Sequence, residues 1–307
     1  MNSSKTNSLL KSNSICVIAA ILFAMGFPAL DLLLVDWGFI SIAFIRNAMG
    51  FILIFFIWLI AEGYKGVIQA RWIRGVIIGA LGFGTGSLLL VITQVLTSTI
   101  VAGLAAALMP LAAVSLEVFF DKRLLTRQFL IGAALVLFGS FIIIGEDLLK
   151  IQFSLGLVVG LISVTTFAWG GRSTVKHLPE MSTLARTATT TLGMTLFCGS
   201  IQFIGLILDL SPTNIPAITL KHFGLLLIYS SCGLALSQIL WIEGVKKLGV
   251  GIASFHLNIT PFYLMIILVI LGHNWEWPEA IGAGIVIFGV TFAQLSSNSI
   301  FKYKTFN

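Results

Sequence analysis

Charged residues are scarce in this chain: Asp, Glu, Lys and Arg make up 10% of its 307 residues, against roughly 25% in soluble proteins. Hydrophobic residues reach 58%. Apolar runs of about 17–25 residues are long enough to cross a bilayer, and only as helices do they satisfy their own backbone groups there. The composition therefore argues against a soluble enzyme and predicts an all-α integral membrane protein whose partner is the lipid bilayer.

Motifs typical of catalytic, metal-binding or cofactor-binding sites are also missing from the sequence. The four histidines are scattered, and the sequence contains neither a His-Glu-x-x-His motif nor a phosphate-binding glycine loop. It therefore indicates no catalytic residues, no metal site and no cofactor. Cys16, Cys198 and Cys232 lie inside apolar runs without metal-ligand spacing, and we interpret them as small core residues.

Ten apolar runs predict ten transmembrane helices. They cover residues 15–34, 39–61, 73–95, 99–119, 129–145, 155–175, 184–208, 222–244, 249–272 and 278–295. The first run exceeds the apolar core of a signal peptide, which is about 7–15 residues long. An uncleaved first helix is therefore favoured over a cleaved signal.

The net charge of +6 is explained by membrane topology, and we expect no nucleic-acid partner. With the N-terminus in the cytoplasm, ten helices place fourteen Lys and Arg residues on the cytoplasmic side and only Lys150 and Lys221 on the other. This asymmetry follows the positive-inside rule. We expect both termini in the cytoplasm and the protein in a bacterial inner (plasma) membrane.

The chain also repeats itself. The phrase "IGAALVLFGS" at 131–140 returns as "IGAGIVIFGV" at 281–290, and Pro110 falls on Pro261 when the halves are aligned. We predict two five-helix repeats, 1–150 and 151–307. Because five is an odd number, the second repeat would be inserted upside down. The charges agree, since "DKRLLTR" after the Pro110 helix is basic and its counterpart "HNWEWPE" is acidic.

Inverted repeats are typical of secondary transporters, which bind substrate near the membrane midplane between the halves. The repeated phrase itself is interpreted as structural. Glycines recur seven residues apart within it, which allows neighbouring helices to approach closely; they are Gly132, Gly139, Gly282 and Gly289.

This combination of features resembles the drug/metabolite transporter superfamily, and within it the EamA-like family of ten-helix exporters. The resemblance rests on the two repeats, the phrase that closes each, the proline in each fourth helix, and Arg46 and Arg186 in the second helices. It implies a central cavity lined by the first, third and fourth helices of each half. The chain departs from the family's Leu-Gly-Glu pattern, because His273 follows Leu271 and Gly272.

Candidate substrate-binding residues lie in the second repeat. His256, Thr260 and Tyr263 are spaced to share one face of the ninth helix, and Pro261 frees a backbone carbonyl beside them. Interhelical hydrogen bonding is the alternative role for this polar face. The sixth and eighth helices add three candidates, for whose tryptophans packing or an interfacial belt is the alternative; they are Trp169, Gln238 and Trp241.

Arg46 and Arg186 are candidates for gating or for contact with a substrate carboxylate, because a charge at the bilayer centre costs about 2.5–3.5 kcal/mol. The alternative is that they snorkel or pair with helix-end carbonyls. The candidate hinges are prolines, which interrupt helical hydrogen bonding; they are Pro28, Pro110 and Pro261.

These features predict a secondary transporter that exports a small-molecule substrate, an amino acid or a related amphipathic metabolite, by alternating access. Nucleotide sugars, nucleosides and cationic drugs are alternative substrates for the same architecture. A channel or a membrane enzyme fits less well, because the sequence shows no pore-filter segment and no catalytic cluster. Without a nucleotide-binding loop, the substrate gradient or a coupled proton would drive transport. His256 is the candidate proton acceptor, since histidine titrates near neutral pH.

Overall fold

The computed structural model describes residues 3–122, 126–144 and 150–295, and within these ranges every regular element is a helix. Arg123, Lys302 and Lys304, which contribute to the charge asymmetry, lie outside them. Seven helical segments in the described ranges are long and apolar enough to cross a membrane: Lys11–Leu34, Phe39–Ile68, Trp72–Leu96, Thr99–Phe120, Ile151–His177, Thr183–Ile207 and Leu220–Leu248. Three apolar helices are shorter, namely Arg127–Ile143, His256–Ile270 and Trp277–Ala293. That these three also cross the membrane, giving ten spans, stays a prediction.

We number the helices in chain order. The first five are α1 (Ser3–Leu34), α2 (Phe39–Ile68), α3 (Trp72–Leu96), α4 (Thr99–Ala107 and Met109–Asp121) and α5 (Arg127–Ile144). The others are α6 (Ile151–His177), α7 (Thr183–Ile207), α8 (Leu220–Leu227, Ile228–Leu236 and Ser237–Phe255), α9 (Thr260–Ile270) and α10 (Trp277–Leu295). Short 3-10 turns lie at Ser211–Thr213 and His256–Ile259.

The outer surface of the bundle carries large apolar side chains. Ile60 is 84% exposed, Leu137 73% and Phe203 66%. Extended apolar surface of this kind is unusual on a soluble monomer. It is the surface that an integral membrane protein presents to lipid.

The third helix of each half departs from α-helical geometry at the matching place. α3 is π-helical over Gly79–Gly84, and α8 over Ile228–Leu236. Short π-helical stretches are uncommon and often accompany functional sites. The hydrophobic pattern gave no indication of them.

The fourth helix of each half is interrupted beside its proline. α4 breaks at Leu108, and the His256–Ile259 turn precedes α9, so Pro110 and Pro261 both stand in the first turn of a new helix. A proline lacks the N–H that this position leaves unpaired in any case. Pro28, in contrast, lies inside α1, which is helical on both sides of it.

One predicted connection was therefore wrong. The connection expected at 245–248 is helical, since α8 continues to Phe255. The bounds predicted for 99–119 agree with the segment Thr99–Phe120, but the interruption at Leu108 was not expected. The physical reason is the same in both halves. The hydrophobic runs fix where helices lie, but the proline decides where the helical hydrogen bonding is interrupted.

The two copies of the repeated phrase pack against each other, α5 against α10. A Cβ atom added to Gly139 would lie 2.7 Å from the carbonyl oxygen of Gly282, and one added to Gly282 would lie 2.7 Å from that of Gly139. Gly132 and Gly289 meet in the same reciprocal way, at 2.4 and 2.8 Å. The prediction that these glycines permit close helix contact is confirmed. The pairing also shows that the two helices run antiparallel.

A second set of glycine contacts joins the first helix of each half to the third helix of the other. Gly26 of α1 meets Gly233 of α8, and Gly170 of α6 meets Gly82 of α3. Gly82 and Gly233 both lie in the π-helical stretches. The irregular parts of α3 and α8 are thus held at the contact between the two halves.

We expect Gly139→Ala to destabilise the protein by about 1–3 kcal/mol, the usual cost of overpacking a tight interior. The added methyl group would also lie 2.9 Å from both Val286 Cγ2 and the Val286 backbone nitrogen, so the backbones of α5 and α10 must separate. Thermal unfolding of the purified protein in detergent should show a lower midpoint.

Gly284→Ala is the matched control for this substitution. It lies in α10 as well, but its nearest neighbour would be Phe262 Cζ at 4.0 Å. Here the higher helix propensity of alanine, about 1 kcal/mol over glycine, should leave the midpoint unchanged or raised. Equal midpoints for the two variants would contradict the close-contact role of Gly139.

Candidate functional site

A cavity lies between the two halves of the chain, and we call it the central cavity. Its walls come from α1, α3, α4, α6, α8 and the turn before α9. The volume open to the centres of water-sized spheres is about 60 Å³. By this measure one water needs roughly 10–15 Å³, so the cavity has room for a few waters in this conformation. The lining residues are Ala19, Phe23, Phe83, Leu90, Ala106, Met109, Val164, Phe167, Ser237, Gln238, Trp241 and Leu257.

Aromatic rings form much of the wall. The ring of Phe83 lies 5.9 Å from that of Phe167 and 6.4 Å from that of Trp241, measured between centroids. The polar groups at the cavity are the side chains of Ser237 and Gln238 and the indole N–H of Trp241. An apolar wall with a few placed polar groups is typical of a site for a small organic ligand.

Two of these side chains carry a buried donor without a described partner. Gln238 Nε2 and Trp241 Nε1 are buried, and neither has a hydrogen-bond partner among the described residues. The two side chains stand three residues apart and hence on the same side of α8. A buried donor without a partner costs about 1–3 kcal/mol. Both groups would be satisfied by an oxygen acceptor that occupies the cavity.

The irregular backbone segments converge on this cavity. Phe83 comes from the π-helical stretch of α3, Met109 from the interruption of α4 and Leu257 from the turn before α9. Ser237 follows directly after the π-helical stretch of α8. Discontinuous helices form the substrate sites of many transporters, because their free backbone groups face the pathway there.

The predicted polar face of the ninth helix is placed differently from the expectation. His256, Thr260 and Tyr263 are not among the residues that line the central cavity; Leu257 lines it instead. The spacing assumed a regular α-helix, whereas 256–259 form a 3-10 turn with about 3.0 residues per turn instead of 3.6. Tyr263 packs against the apolar cluster that includes Trp241.

The sequence reasoning missed Asn258, which lies in this same turn. Its side chain is 1% exposed, and neither its amide nitrogen nor its amide oxygen has a described partner. His256 Nδ1 and Thr260 Oγ1 are also buried without a hydrogen-bond partner within the described ranges. The turn before α9 therefore concentrates buried polar groups beside the cavity. The only signal in the sequence was an amide residue three positions before Pro261.

Trp169 also lies elsewhere than expected. The part of α6 that faces the central cavity carries Val164 and Phe167, whereas the Trp169 ring lies beside Gly82 at the contact of α6 with α3. The structure thus places Gln238 and Trp241 at the cavity, whereas Trp169 lies at the contact of α6 with α3 and is not among the cavity-lining residues.

A second, smaller space adjoins the central cavity, and we call it the Arg46 chamber. It shares Phe23, Leu90 and Phe167 with the central cavity. Its volume by the same measure is about 20 Å³, room for about one water. The other lining residues are Gly26, Phe27, Leu30, Arg46, Ser87, Val91, Gln94 and Tyr229.

Arg46 is 5% exposed and is held by neutral groups. Its Nη1 donates to Ser87 Oγ at 2.9 Å and its Nη2 to the Gly233 carbonyl at 2.8 Å. Its Nε donates to the Tyr229 carbonyl at 3.4 Å, and the guanidinium lies 4.5 Å from the centre of the Tyr229 ring. Both carbonyls belong to the π-helical stretch of α8.

Arg186 has a different role in the described structure, although it occupies the corresponding place in the second repeat. Its Nε donates to the Leu178 carbonyl at 2.8 Å and its Nη2 to the Pro179 carbonyl at 2.6 Å. These carbonyls follow the end of α6. Arg186 therefore pairs with helix-end carbonyls through Nε and Nη2, while its buried Nη1 has no described partner. Arg46, in contrast, borders a cavity.

Comparisons with known proteins agree with this architecture. The family model described as the EamA-like transporter family matches residues 10–145 and, a second time, residues 154–294. The uncharacterized transporter YrdR of Bacillus subtilis (strain 168) is 24% identical over 94% of this chain and 91% of its own. The uncharacterized transporter YyaM of the same organism is 24% identical over 82% and 81%.

A solved crystal structure has the same fold. It superposes with a TM-score of 0.71 at 16% identity and covers 94% of this chain and 99% of its own.

A cysteine at position 257 should react with a water-soluble maleimide faster than one at position 260. Leu257 lines the central cavity, whereas Thr260 is fully buried beside it. The measurement is the labelling rate of Leu257→Cys and Thr260→Cys, each in a chain whose Cys16, Cys198 and Cys232 are replaced by alanine. Faster labelling at 260 would mean that the polar face, and not Leu257, forms the wall.

Proposed function

Because the chain belongs to the EamA-like transporter family, we propose that it is a secondary transporter that moves a small amphipathic metabolite across the membrane by alternating access. The main support for the proposal is the central cavity between the two repeats, whose lining residues Gln238 and Trp241 carry buried donors, Nε2 and Nε1, without a partner in the described structure. The cavity holds only a few waters in this conformation, so substrate entry requires the halves to separate. The glycine contacts between the halves are where such rearrangement would occur.

We further propose that the repeats have opposite orientations in the plasma membrane, the bacterial inner membrane, with both termini in the cytoplasm. The reciprocal contacts support this: Gly132 meets Gly289 while Gly139 meets Gly282. Each glycine of one repeat meets the glycine that is not its own equivalent in the other repeat, and this reciprocal pairing is characteristic of twofold symmetry. Since the two helices are antiparallel, the axis relating them is perpendicular to both and lies in the membrane plane.

Reporter fusions test this topology. A reporter joined after Lys11 and one joined after Asn307 should both give a cytoplasmic signal, because the positive-inside rule places the basic connections on that side. A fusion within the 145–150 connection is the control and should give the opposite signal. An external signal at either end would contradict the ten-helix arrangement.

The cavity chemistry suggests the class of substrate. Aromatic walls suit an apolar body, and the two hydrogen-bond donors suit an oxygen atom carried by the same substrate. We propose an amino acid or a related compound, exported from the cell. Nucleotide sugars, nucleosides and cationic drugs are the competing substrates.

The purified protein in liposomes should exchange labelled metabolites across equal concentrations without ATP. Pools of amino acids, nucleosides, nucleotide sugars and quaternary ammonium compounds should be assayed in turn, with empty liposomes as the control. Exchange restricted to amino acids is the expected result. Absence of exchange for every pool would contradict a transport function.

The same liposomes address the energy source, for which we propose the substrate gradient or a coupled proton. His256 is the candidate proton acceptor, and its Nδ1 has no partner within the described structure. If the proton travels through this residue, an imposed pH gradient should stimulate the wild type, and His256→Gln should abolish the stimulation while exchange persists. Unchanged stimulation in this variant would exclude His256 as the coupling group.

A further inference from the structure

The Arg46 chamber contains a buried cation that the protein does not neutralise. The contacts described for the Arg46 guanidinium are two carbonyls, one hydroxyl and one aromatic face, and they include no carboxylate. An arginine carries five N–H groups. Three are used, so two remain without a described partner, and the residue borders the chamber. Burying a charge among neutral groups is costly, and a ligand anion would offset the cost.

Gln94, in the same chamber, offers the opposite chemistry. Its Nε2 faces three acceptors, namely the Phe27 carbonyl at 2.9 Å, Asp31 Oδ1 at 2.7 Å and Thr99 Oγ1 at 3.2 Å. These contacts fix the amide so that the other atom, Oε1, points away from them. Gln94 is 4% exposed, and its Oε1 has no partner in the part of the chain that the structure describes. Gln94 lines the same chamber as Arg46 and thus brings a buried acceptor without a described partner to its wall.

The negative charge behind Gln94 strengthens this acceptor. Asp31 accepts hydrogen bonds from Gln94 Nε2 and from the Thr99 hydroxyl. Its carboxylate polarises the amide and makes the Gln94 side of the chamber favourable for a positive group. The chamber is thus cationic at Arg46 and electron-rich at Gln94.

We propose that the Arg46 chamber is a binding site for the head group of a zwitterion, with the carboxylate at Arg46 and the ammonium group at Gln94 Oε1. This deepens the proposed function and rests on it. The side chain of such an α-amino acid would extend past Phe23 and Phe167, which both spaces share, into the aromatic central cavity. The chamber holds about one water in this conformation, so it widens when the head group enters.

A purely structural role for Arg46 makes a different prediction. In that case the residue ties α2 to α3 and α8 and contacts no substrate. This role accounts for the three hydrogen bonds of Arg46. It leaves unexplained why Gln94, in the wall of the same chamber, keeps a buried Oε1 without a described partner.

The test uses the full chain in liposomes and an equimolar mixture of radiolabelled L-amino acids as the probe. The amino acid taken up best is then compared with its carboxamide and with its analogue lacking the amino group. The wild type should prefer the amino acid over the carboxamide by about tenfold or more, the usual effect of losing a charge-assisted hydrogen bond. Equal uptake of the amino acid and the carboxamide by the wild type would overturn the proposal, whatever any variant does.

Variants test whether the preference for the amino acid over its two analogues arises in the Arg46 chamber. Arg46→Gln should abolish discrimination against the carboxamide, and Arg46→Lys, which keeps the charge but loses the planar fork, should retain part of it. Gln94→Leu should abolish discrimination against the analogue lacking the amino group. Arg186→Gln is the matched control, because it removes the same charge from a residue that binds helix-end carbonyls, and it should retain both preferences.

The outcomes separate this proposal from the transport function. If the liposomes take up no amino acid but do exchange another metabolite pool, the zwitterion site is wrong and the transporter remains. If no pool exchanges, both are wrong. If Arg46→Gln elutes as a single species in gel filtration and discriminates like the wild type, Arg46 does not bind the carboxylate. If Arg46→Gln does not fold, the test rests on two other results: the wild-type preference for the amino acid over its carboxamide, and the reduction of that preference in Arg46→Lys.

Discussion

The close approach of the two halves at glycines is the constraint on which the rest of this structure depends. A single methyl group between Gly139 and Gly282 would lie 2.7 Å from a carbonyl oxygen, a distance that requires the backbones to move apart. In a bilayer, helices gain little from burying apolar side chains against each other, because lipid is equally apolar. Backbone proximity at small residues therefore supplies the van der Waals contact that holds α5 to α10 and joins each first helix to the opposite third helix.

These contacts also place the irregular backbone. Gly82 and Gly233 lie within the two π-helical stretches and pack against Gly170 and Gly26. Carbonyl groups of the stretch in α8 accept hydrogen bonds from Arg46. A charged side chain is thus fixed beside a cavity by backbone groups of the other half. The contacts that pack the two halves together therefore also hold the π-helical stretches and the candidate site in place.

The sequence predicted different parts of this arrangement with different success. It identified the membrane class, the repeated phrase with its close-contact glycines, and the family. It placed Gln238 and Trp241 on one helix face, because they stand three residues apart, and both line the central cavity; that they bind substrate stays a prediction. It misplaced the wall residues of α6 and of the segment before α9, and it missed Asn258. The assumption that failed was uniform helical periodicity.

What the sequence determined by itself is the set of properties that depend on composition and order: apolar length, charge asymmetry, internal repetition and the positions of glycine and proline. What only the tertiary structure decided is which side chains face the cavities. One additional residue in a helical turn rotates everything after it by about 100°, and both third helices contain π-helical stretches while a 3-10 turn precedes α9. The π-helical stretches contact the opposite half at glycines and at Arg46, so their location depends on the folded pair of repeats. The 3-10 turn directly precedes α9, whose first turn contains Pro261, so the proline marks its place in the sequence, and the folded chain decides which side chains it turns towards the cavity.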